Sequence, residues 1–343
     1  MEESKENNIL FFKIWRNIVI KEIIFEHLRL FKRNYYFKIS DLNGFINKKN
    51  KYYVKKIEIN FSKEISNDTF SKYLNCTNLI FSNKFNKSIN NLKITCNLKH
   101  IEFGNTFDQP INPLDQIFLS NNSIETIKFG NNFNQLLKFN SSSINNEQFI
   151  QLKSLKLGMF FNKPLLEIPN SITDLEFGRE FNQNFSFDKE SKLKSLKFIG
   201  KFDMNLTVGK LPSSLKILYL SNDFSRKLTK GMLPDNLEEL YFSSNYNQEL
   251  IPNESIPLSL TLIKLSFAFN KELVPGVFPP NIKTIIFGES FSKPLKIGVI
   301  PNSVTTLKLP KFYKPFLTYL PQRPQISELY SIPPNSYKNL TFF

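Results

Sequence analysis

Residues 172–182 read ITDLEFGREFN, and this order of apolar residues decides the fold because it recurs along most of the chain. Residues 98–108 (LKHIEFGNTFD) and 282–292 (IKTIIFGESFS) have the same order, with an aromatic residue four positions after the third apolar one. We call that third apolar residue the anchor. Anchors lie at Phe81, Phe103, Phe129, Leu157, Phe177, Phe198, Leu220, Phe242, Leu265, Phe287 and Leu309. Recurrence at a nearly fixed period of about 22 residues is the signature of a repeat architecture.

The position four residues after the anchor is aromatic in every one of these repeats, although only 14% of the chain is aromatic. The residues are Phe85, Phe107, Phe133, Phe161, Phe181, Phe202, Phe224, Tyr246, Phe269, Phe291 and Tyr313. Because identical positions of successive repeats lie side by side, we expect these rings to stack into an aromatic spine. The next position is Asn, Asp or Ser in all but the last of these repeats, which has Lys314. We expect these short side chains to cap the turn by bonding to nearby backbone.

Each repeat predicts one short β-strand. Apolar residues five and two positions before the anchor, and the anchor itself, give that strand a buried face. One such strand cannot bury its face alone, so stacked repeats build a continuous parallel sheet. We therefore predict a repeat solenoid of about 12 units over residues 51–343. Its first unit lies at 54–59, and a weak last unit lies at Ile326, Leu329 and Ser331.

Two repeats carry a further motif, FNKPLLEIP at 161–169 and FSKPLKIGVIP at 291–301. On these residues, and on the recurrence over residues 52–343, the chain resembles the FNIP repeat family, a divergent relative of leucine-rich-repeat proteins. The resemblance implies a leucine-rich-repeat-like curved parallel sheet and no catalytic activity. The spacing departs from the pattern at 112–122 and 140–148, which we expect to be loop insertions.

Residues 1–50 differ in kind and predict a helical segment. Apolar residues recur there at helical spacing, at Phe11, Ile14, Ile18, Phe25 and Leu28. Leu42, Phe45 and Ile46 indicate a second helix. One interpretation is a helical N-terminal cap over the open end of the solenoid, which every solenoid needs. The other is a degenerate F-box-like module, which would dock a Skp-type adaptor of ubiquitin ligases, although the segment lacks the Leu-Pro opening of that family.

Composition narrows the partner classes. Lys and Arg number 45 against 30 Asp and Glu, which gives a formal net charge of +15. The excess is spread along the chain without an Arg-rich stretch, so it favours a solvated basic surface over nucleic-acid binding. The chain has too few cysteines for a disulfide framework, and we predict neither a signal peptide nor a membrane span. We expect a cytoplasmic or nuclear protein.

A search for catalytic and metal-binding residues finds no candidate. The two histidines, His27 and His100, have no His or Cys at metal-ligand spacing. No Gly-rich nucleotide-binding motif and no G-x-S-x-G occurs. Cys76 falls in a core column and Cys96 in a loop. We therefore predict a protein that is not an enzyme and needs no cofactor.

The positions one and three before the anchor alternate with the apolar columns and predict an exposed strand face. On this face the candidate partner-binding residues are Lys197, Ile217, Tyr219, Tyr241, Leu262 and Lys264. Tyr219 and Tyr241 should be neighbours on adjacent strands, and an exposed Tyr pair ringed by charge is typical of a protein-binding hot spot. Strands also favour Tyr and Ile for packing alone. We predict a protein-interaction scaffold, with an F-box-type substrate receptor of a ubiquitin ligase as the alternative.

Overall fold

The computed structural model describes most of the chain between residues 18 and 342. The described residues are 18–63, 65, 73, 75–90, 92, 94, 96–111, 116–119, 123–139, 149–166, 168–311, 313 and 340–342. Within them, one 14-stranded sheet runs in strict sequence order, and every neighbouring pair of strands is parallel. The predicted parallel, leucine-rich-repeat-like solenoid is confirmed.

The strands are three or four residues long. They are β1 Tyr36–Ile39, β2 Lys56–Ile59, β3 Asn78–Phe81, β4 His100–Glu102, β5 Thr126–Lys128, β6 Ser154–Lys156, β7 Asp174–Phe177, β8 Ser195–Phe198, β9 Ile217–Tyr219, β10 Glu239–Tyr241, β11 Leu262–Lys264, β12 Thr284–Ile286, β13 Thr306–Leu309 and β14 Leu340–Phe342. The helices are α1 Ile18–Asn34, α2 Leu42–Asn47 and α3 Gln116–Leu119, with a 3-10 turn at Lys51–Tyr53.

The sheet has one fully buried face because apolar and polar residues alternate in every repeat. In β7, Leu175 and Phe177 are buried, whereas Asp174 and Glu176 point to the other face. The register keeps equivalent positions side by side, so Phe177 pairs with Phe198 and Glu176 with Lys197. The core is therefore a set of continuous columns along the solenoid, and the opposite face is a second set of columns that is less buried.

The aromatic spine is confirmed. All of its described members are buried, and successive rings lie nearly parallel, with centroids 6.1 Å apart between Phe161 and Phe181 and 6.2 Å apart between Phe181 and Phe202. Stacked contacts join the rings from Phe85 to Tyr246 and again from Phe269 to Tyr313. Each ring thus stabilises two neighbouring repeats through apolar burial and through the offset-stacked geometry that aromatic pairs prefer.

The polar column after the spine links repeats rather than capping a local turn, which corrects the sequence-based expectation. The backbone N–H of Asn162 donates to Asn134 Oδ1 at 2.9 Å, and the N–H of Asn182 donates to Asn162 Oδ1 at 3.0 Å. The same bond recurs from Asn86 to Ser225 and from Asn247 to Ser292. Among the described residues, no such bond joins Ser225 to Asn247. The Ser hydroxyl oxygen is attached to Cβ, so it reaches one bond less far than the Oδ1 of Asn. We call this column the Asn ladder.

The glycines that follow several anchors let successive turns of the solenoid pack closely. A Cβ at Gly178 would lie 1.9 Å from the carbonyl oxygen of Gly158, and a Cβ at Gly130 would lie 2.1 Å from that of Gly104. No real Cβ comes so close to a carbonyl oxygen, so only glycine lets successive turns approach to this distance.

The N-terminal segment differs in part from its prediction. Helices α1 and α2 are present, but β1 extends the sheet to Tyr36, so the sheet begins inside the segment 1–50 that was expected to be helical. Helix α1 meets the 3-10 turn through the His27 and Tyr53 rings, which lie 5.7 Å apart, whereas Ile23 and Leu28 stay exposed. Its role as a cap stays a prediction, and Phe11 and Ile14 lie outside the described residues.

The two predicted loop insertions and the weak last repeat can be compared with the structure only in part. The 112–122 insertion holds a short helix, α3, whose Ile117 and Phe118 are buried, so it is more than a loop. The 140–148 insertion and the weak unit at 326–331 lie outside the described residues. The strand that pairs with β13 is Leu340–Phe342, beyond that weak unit.

Candidate functional site

Two tyrosines form the centre of the exposed strand face. Tyr219 ends β9 and Tyr241 ends β10, and the parallel register places them directly opposite each other. Their rings stack with centroids 4.1 Å apart and planes 7° apart. The Tyr241 hydroxyl donates to Glu239 Oε2 at 2.7 Å, and burial together with this bond raises the pKa of Tyr241. The phenol therefore stays neutral and is held in place by Glu239.

Lysines flank the ring pair on both sides. Lys197 of β8 places its ammonium 5.9 Å from the Tyr219 ring centroid, within the range of a cation–π contact. Its Nζ also lies 3.6 Å from Glu176 of β7. Lys264 of β11 is exposed and makes no ion pair with any residue in the described part of the chain. The predicted arrangement of a Tyr pair between two lysines is therefore present.

These residues line a concavity of about 660 Å³ on the strand face, which we call the strand-face concavity. Its wall includes Lys197, Ile199, Tyr219, Tyr241, Lys264, Phe267, Ile286, Glu289 and Lys308. Ile217 and Leu262 lie on the same face, paired with Glu239 on the strands to either side of it, but outside this wall. The partner-binding role of all six candidates stays a prediction.

Sequence reasoning missed the most exposed apolar member of the wall. Phe267 is 58% exposed, although it follows the buried anchor Leu265 by only two residues. The equivalent residue is polar in most other repeats, for example Asn105, Asn131 and Asn222. The signal that could have identified Phe267 is a large apolar residue in a column that is mostly polar in the other repeats.

The strand face has a different character on its N-terminal side. There the column one before the anchor is charged on every strand, and Lys128 Nζ lies 2.6 Å from Glu102 Oε1. Glu176 lies between Lys156 at 3.7 Å and Lys197 at 3.6 Å. We call this run from β4 to β8 the charge ladder. Each of these charges has a partner within the protein, whereas Lys264 in the wall of the concavity makes no ion pair with a described residue.

The rest of the described chain offers little chemistry. It contains no cluster of three or more His, Cys, Asp or Glu side chains that could hold a metal ion. Cys76 and Cys96 are both buried and free, and a hydrogen bond to Cys96 together with burial raises the pKa of the Cys76 thiol. That contact between the two thiols was not predicted. Among the described residues, no helix is both long and apolar enough to cross a bilayer.

The known proteins that this chain resembles contain FNIP repeats. The FNIP Repeat family matches at residues 161–189, 224–267 and 269–312, which include most of the concavity. An FNIP repeat-containing protein of Dictyostelium discoideum is 29% identical over 191 residues, which are 49% of this chain and 34% of that protein. A second one from the same organism is 28% identical over 244 residues, or 61% of this chain and 65% of that protein.

A solved structure has the same architecture. CroV588, described as a novel circular LRR protein, superposes with a TM-score of 0.66 at 25% sequence identity. The match covers 90% of this chain and 50% of CroV588, and the chain likewise spans less than two thirds of both curated relatives. Strand order, aromatic spine, family match and relatives agree: the chain contains FNIP repeats and has a leucine-rich-repeat-like fold.

Proposed function

We propose that this chain is a non-enzymatic interaction scaffold that binds a partner protein in the strand-face concavity. The observation that carries the proposal is the wall itself. It combines a stacked Tyr pair, an exposed Phe267 and lysines at both ends, and the tyrosines lie at the ends of strands whose other face is buried in the core. Buried aromatic anchors surrounded by charge are what dominates binding energy in protein interfaces.

The aromatic residues are well suited to the task because little conformational entropy is lost when they bind. Tyr219 and Tyr241 already restrain each other by stacking, and Glu239 fixes the Tyr241 hydroxyl. Such preorganisation reduces the cost of ordering side chains at an interface. A repeat solenoid also supplies an extended surface on which further strands can contribute contacts.

The F-box alternative gains no support. The family match lies within residues 161–312, and the described part of residues 1–50 consists of α1, β1 and α2, with β1 built into the solenoid sheet. Location in the cytoplasm or nucleus and the identity of any partner stay predictions.

An affinity capture that compares three forms of the full chain tests the proposal. The first is the natural chain, the second carries Tyr219→Ala with Tyr241→Ala, and the third carries Val208→Ala with Ile297→Ala. The control residues are 69% and 70% exposed and do not line the concavity, so that variant also removes exposed apolar surface. We expect the control to keep the proteins captured by the natural chain and the Tyr variant to lose at least one. Equal capture by all three forms, with unchanged circular dichroism, contradicts the proposal.

A further inference from the structure

We infer that the strand-face concavity takes an acidic peptide segment of a partner protein, in which carboxylates flank an aromatic or aliphatic side chain. This inference rests on the proposed function and names the chemistry of its partner. It follows from the charge of the wall, from the apolar surface between the charges and from the spacing of the strands.

The charge of the wall is positive and only partly neutralised. Lys197, Lys264 and Lys308 line it, against the single carboxylate of Glu289. Glu239 lies on the next column and accepts the hydroxyl of Tyr241. Lys197 lies 3.6 Å from Glu176, a longer contact than the 2.6 Å between Lys128 and Glu102 in the charge ladder. An incoming carboxylate therefore finds an available cation at Lys264 and a replaceable one at Lys197, and the net charge of +15 favours the approach of an acidic segment.

The surface between the lysines is apolar and has room for a side chain. Phe267 is 58% exposed, and Ile199 and Ile286 lie on the same wall. Covering such a surface removes apolar area from water, which favours a ligand that places a hydrocarbon or ring there. A carboxylate without an apolar neighbour would leave this part of the concavity wet.

The same mixture of aromatic and basic residues is used by proteins that bind single-stranded nucleic acid, but the geometry here favours a peptide. Those proteins stack bases on free aromatic faces. In the Tyr pair, one face of each ring is covered by the other ring at 4.1 Å, and the ammonium of Lys197 lies 5.9 Å from the Tyr219 centroid. Three of the four ring faces are therefore in contact with another group, and the pair presents mainly its edges, which suit an aliphatic or aromatic side chain.

The strand spacing sets the spacing of the carboxylates. Lys197 and Lys264 lie on β8 and β11, three strand positions apart. Neighbouring strands are about 4.8 Å apart and an extended chain rises about 3.3 Å per residue, so the two cations match carboxylates about four residues apart. The apolar side chain would fall between them, opposite the Tyr pair.

The test uses a displayed library of random 12-residue peptides, selected on the full natural chain, followed by fluorescence anisotropy on the enriched peptides. We expect enrichment of Asp or Glu about four positions apart around an aromatic or aliphatic residue. Lys264→Glu should weaken binding at least tenfold, since it replaces an attraction with a repulsion. Lys283→Glu makes the same charge change on an exposed lysine outside the concavity and should change affinity less than twofold.

The outcomes separate this inference from the proposal beneath it. Enriched peptides that lack carboxylates, but lose binding with Tyr219→Ala and Tyr241→Ala, overturn the acidic partner and leave the scaffold intact. Peptides that bind every variant equally overturn both. Failure to enrich any peptide contradicts the inference, as does a labelled oligouridine of 12 nucleotides that binds more tightly than every peptide and loses binding with Lys264→Glu.

Discussion

The charge ladder of β4–β8 and the wall of the strand-face concavity over β8–β13 occupy equivalent positions in different repeats, yet their side chains differ in kind. In the ladder, Glu102 and Lys128 pair across adjacent strands, and Glu176 lies between two lysines. In the concavity, the same column reads Tyr219, Tyr241, Lys264 and Ile286. The buried columns beneath are nearly the same in both regions. The columns that agree therefore set the fold, and we propose that the columns that differ set recognition.

The energetic contrast supports this division. An exposed ion pair contributes about 0–1 kcal/mol, so the charge ladder adds little stability. Its charges are nevertheless already paired within the protein. The concavity leaves aromatic area open to solvent, together with Lys264, which makes no ion pair with a described residue. Such a surface gains free energy when a complementary group covers it.

The largest expected effect separates the shared core from the variable face. Replacing Phe181 by Ala removes a ring that stacks at 6.1–6.2 Å on the repeats to either side, and should cost about 3–5 kcal/mol. Phe267→Ala, which removes the same ring from the exposed wall, should lie within about 0.5 kcal/mol of the natural chain. Urea unfolding followed by circular dichroism measures both. Comparable losses in the two variants would remove the distinction between core and face.

A second variant tests the close approach of successive turns. Gly178→Ala places a Cβ 1.9 Å from the carbonyl oxygen of Gly158, so the turns must separate, at a cost of about 1–3 kcal/mol. Gly44→Ala is the matched control, because a Cβ there meets nothing nearer than Asp41 Oδ1 at 3.5 Å and the site is helical. A thermal melt that is unchanged by Gly178→Ala would show that the turns are not in contact.

A third variant tests the polar column that lies beside the aromatic spine. The Asn ladder has its gap between Ser225 and Asn247, in the two repeats that also carry the Tyr pair. Ser225→Asn should supply an acceptor for the N–H of Asn247 and stabilise the chain by about 0.5–1.5 kcal/mol. Asn162→Ser, which opens the ladder elsewhere, should destabilise it by a similar amount. Gains or losses of the same sign in both variants would contradict the inter-repeat role of this column.

The smallest effect is expected at Tyr246, the one spine member between Phe85 and Phe291 that is not Phe. Its hydroxyl is buried and makes no well-formed hydrogen bond to a described residue, although the backbone of Leu228 lies near it. Removing a buried, poorly partnered hydroxyl relieves a desolvation cost, so Tyr246→Phe should be neutral or stabilise by up to about 1 kcal/mol. A clear loss of stability would mean that the hydroxyl bonds to a group outside the described residues.

The sequence alone predicted the parts of the fold that repeat. The anchor and spine columns identified the strands from β2 to β13 because a buried column demands the same residue type at every turn. It did not predict β1, since Tyr36–Ile39 lacks the aromatic residue four positions later and lies among helical patterns. The hydrogen-bond partner in the Asn ladder was missed for a different reason. An Asn side chain can reach backbone in its own turn or in the next repeat, and the distance between stacked repeats decides which of the two it bonds.

The candidate site was predictable in part. Tyr219, Tyr241, Lys197 and Lys264 follow from the alternation of strand residues and from a fixed period. Phe267 and Ile199 do not, because each comes after an anchor, where the direction of a side chain depends on the path of the turn. Ile217 and Leu262 share the face but lie outside the wall, since the concavity opens beside the strand ends.

The most direct measurement extends the charge ladder into the concavity and follows partner binding. Tyr219→Glu with Tyr241→Lys places a carboxylate beside Lys197 and an ammonium beside that carboxylate. The variant should therefore fold and melt within a few degrees of the natural chain. We predict that it loses, by at least tenfold in affinity, a partner that the natural chain binds. A variant that folds and keeps its partners with unchanged affinity would contradict the claim that recognition lies where the strand face departs from the ladder.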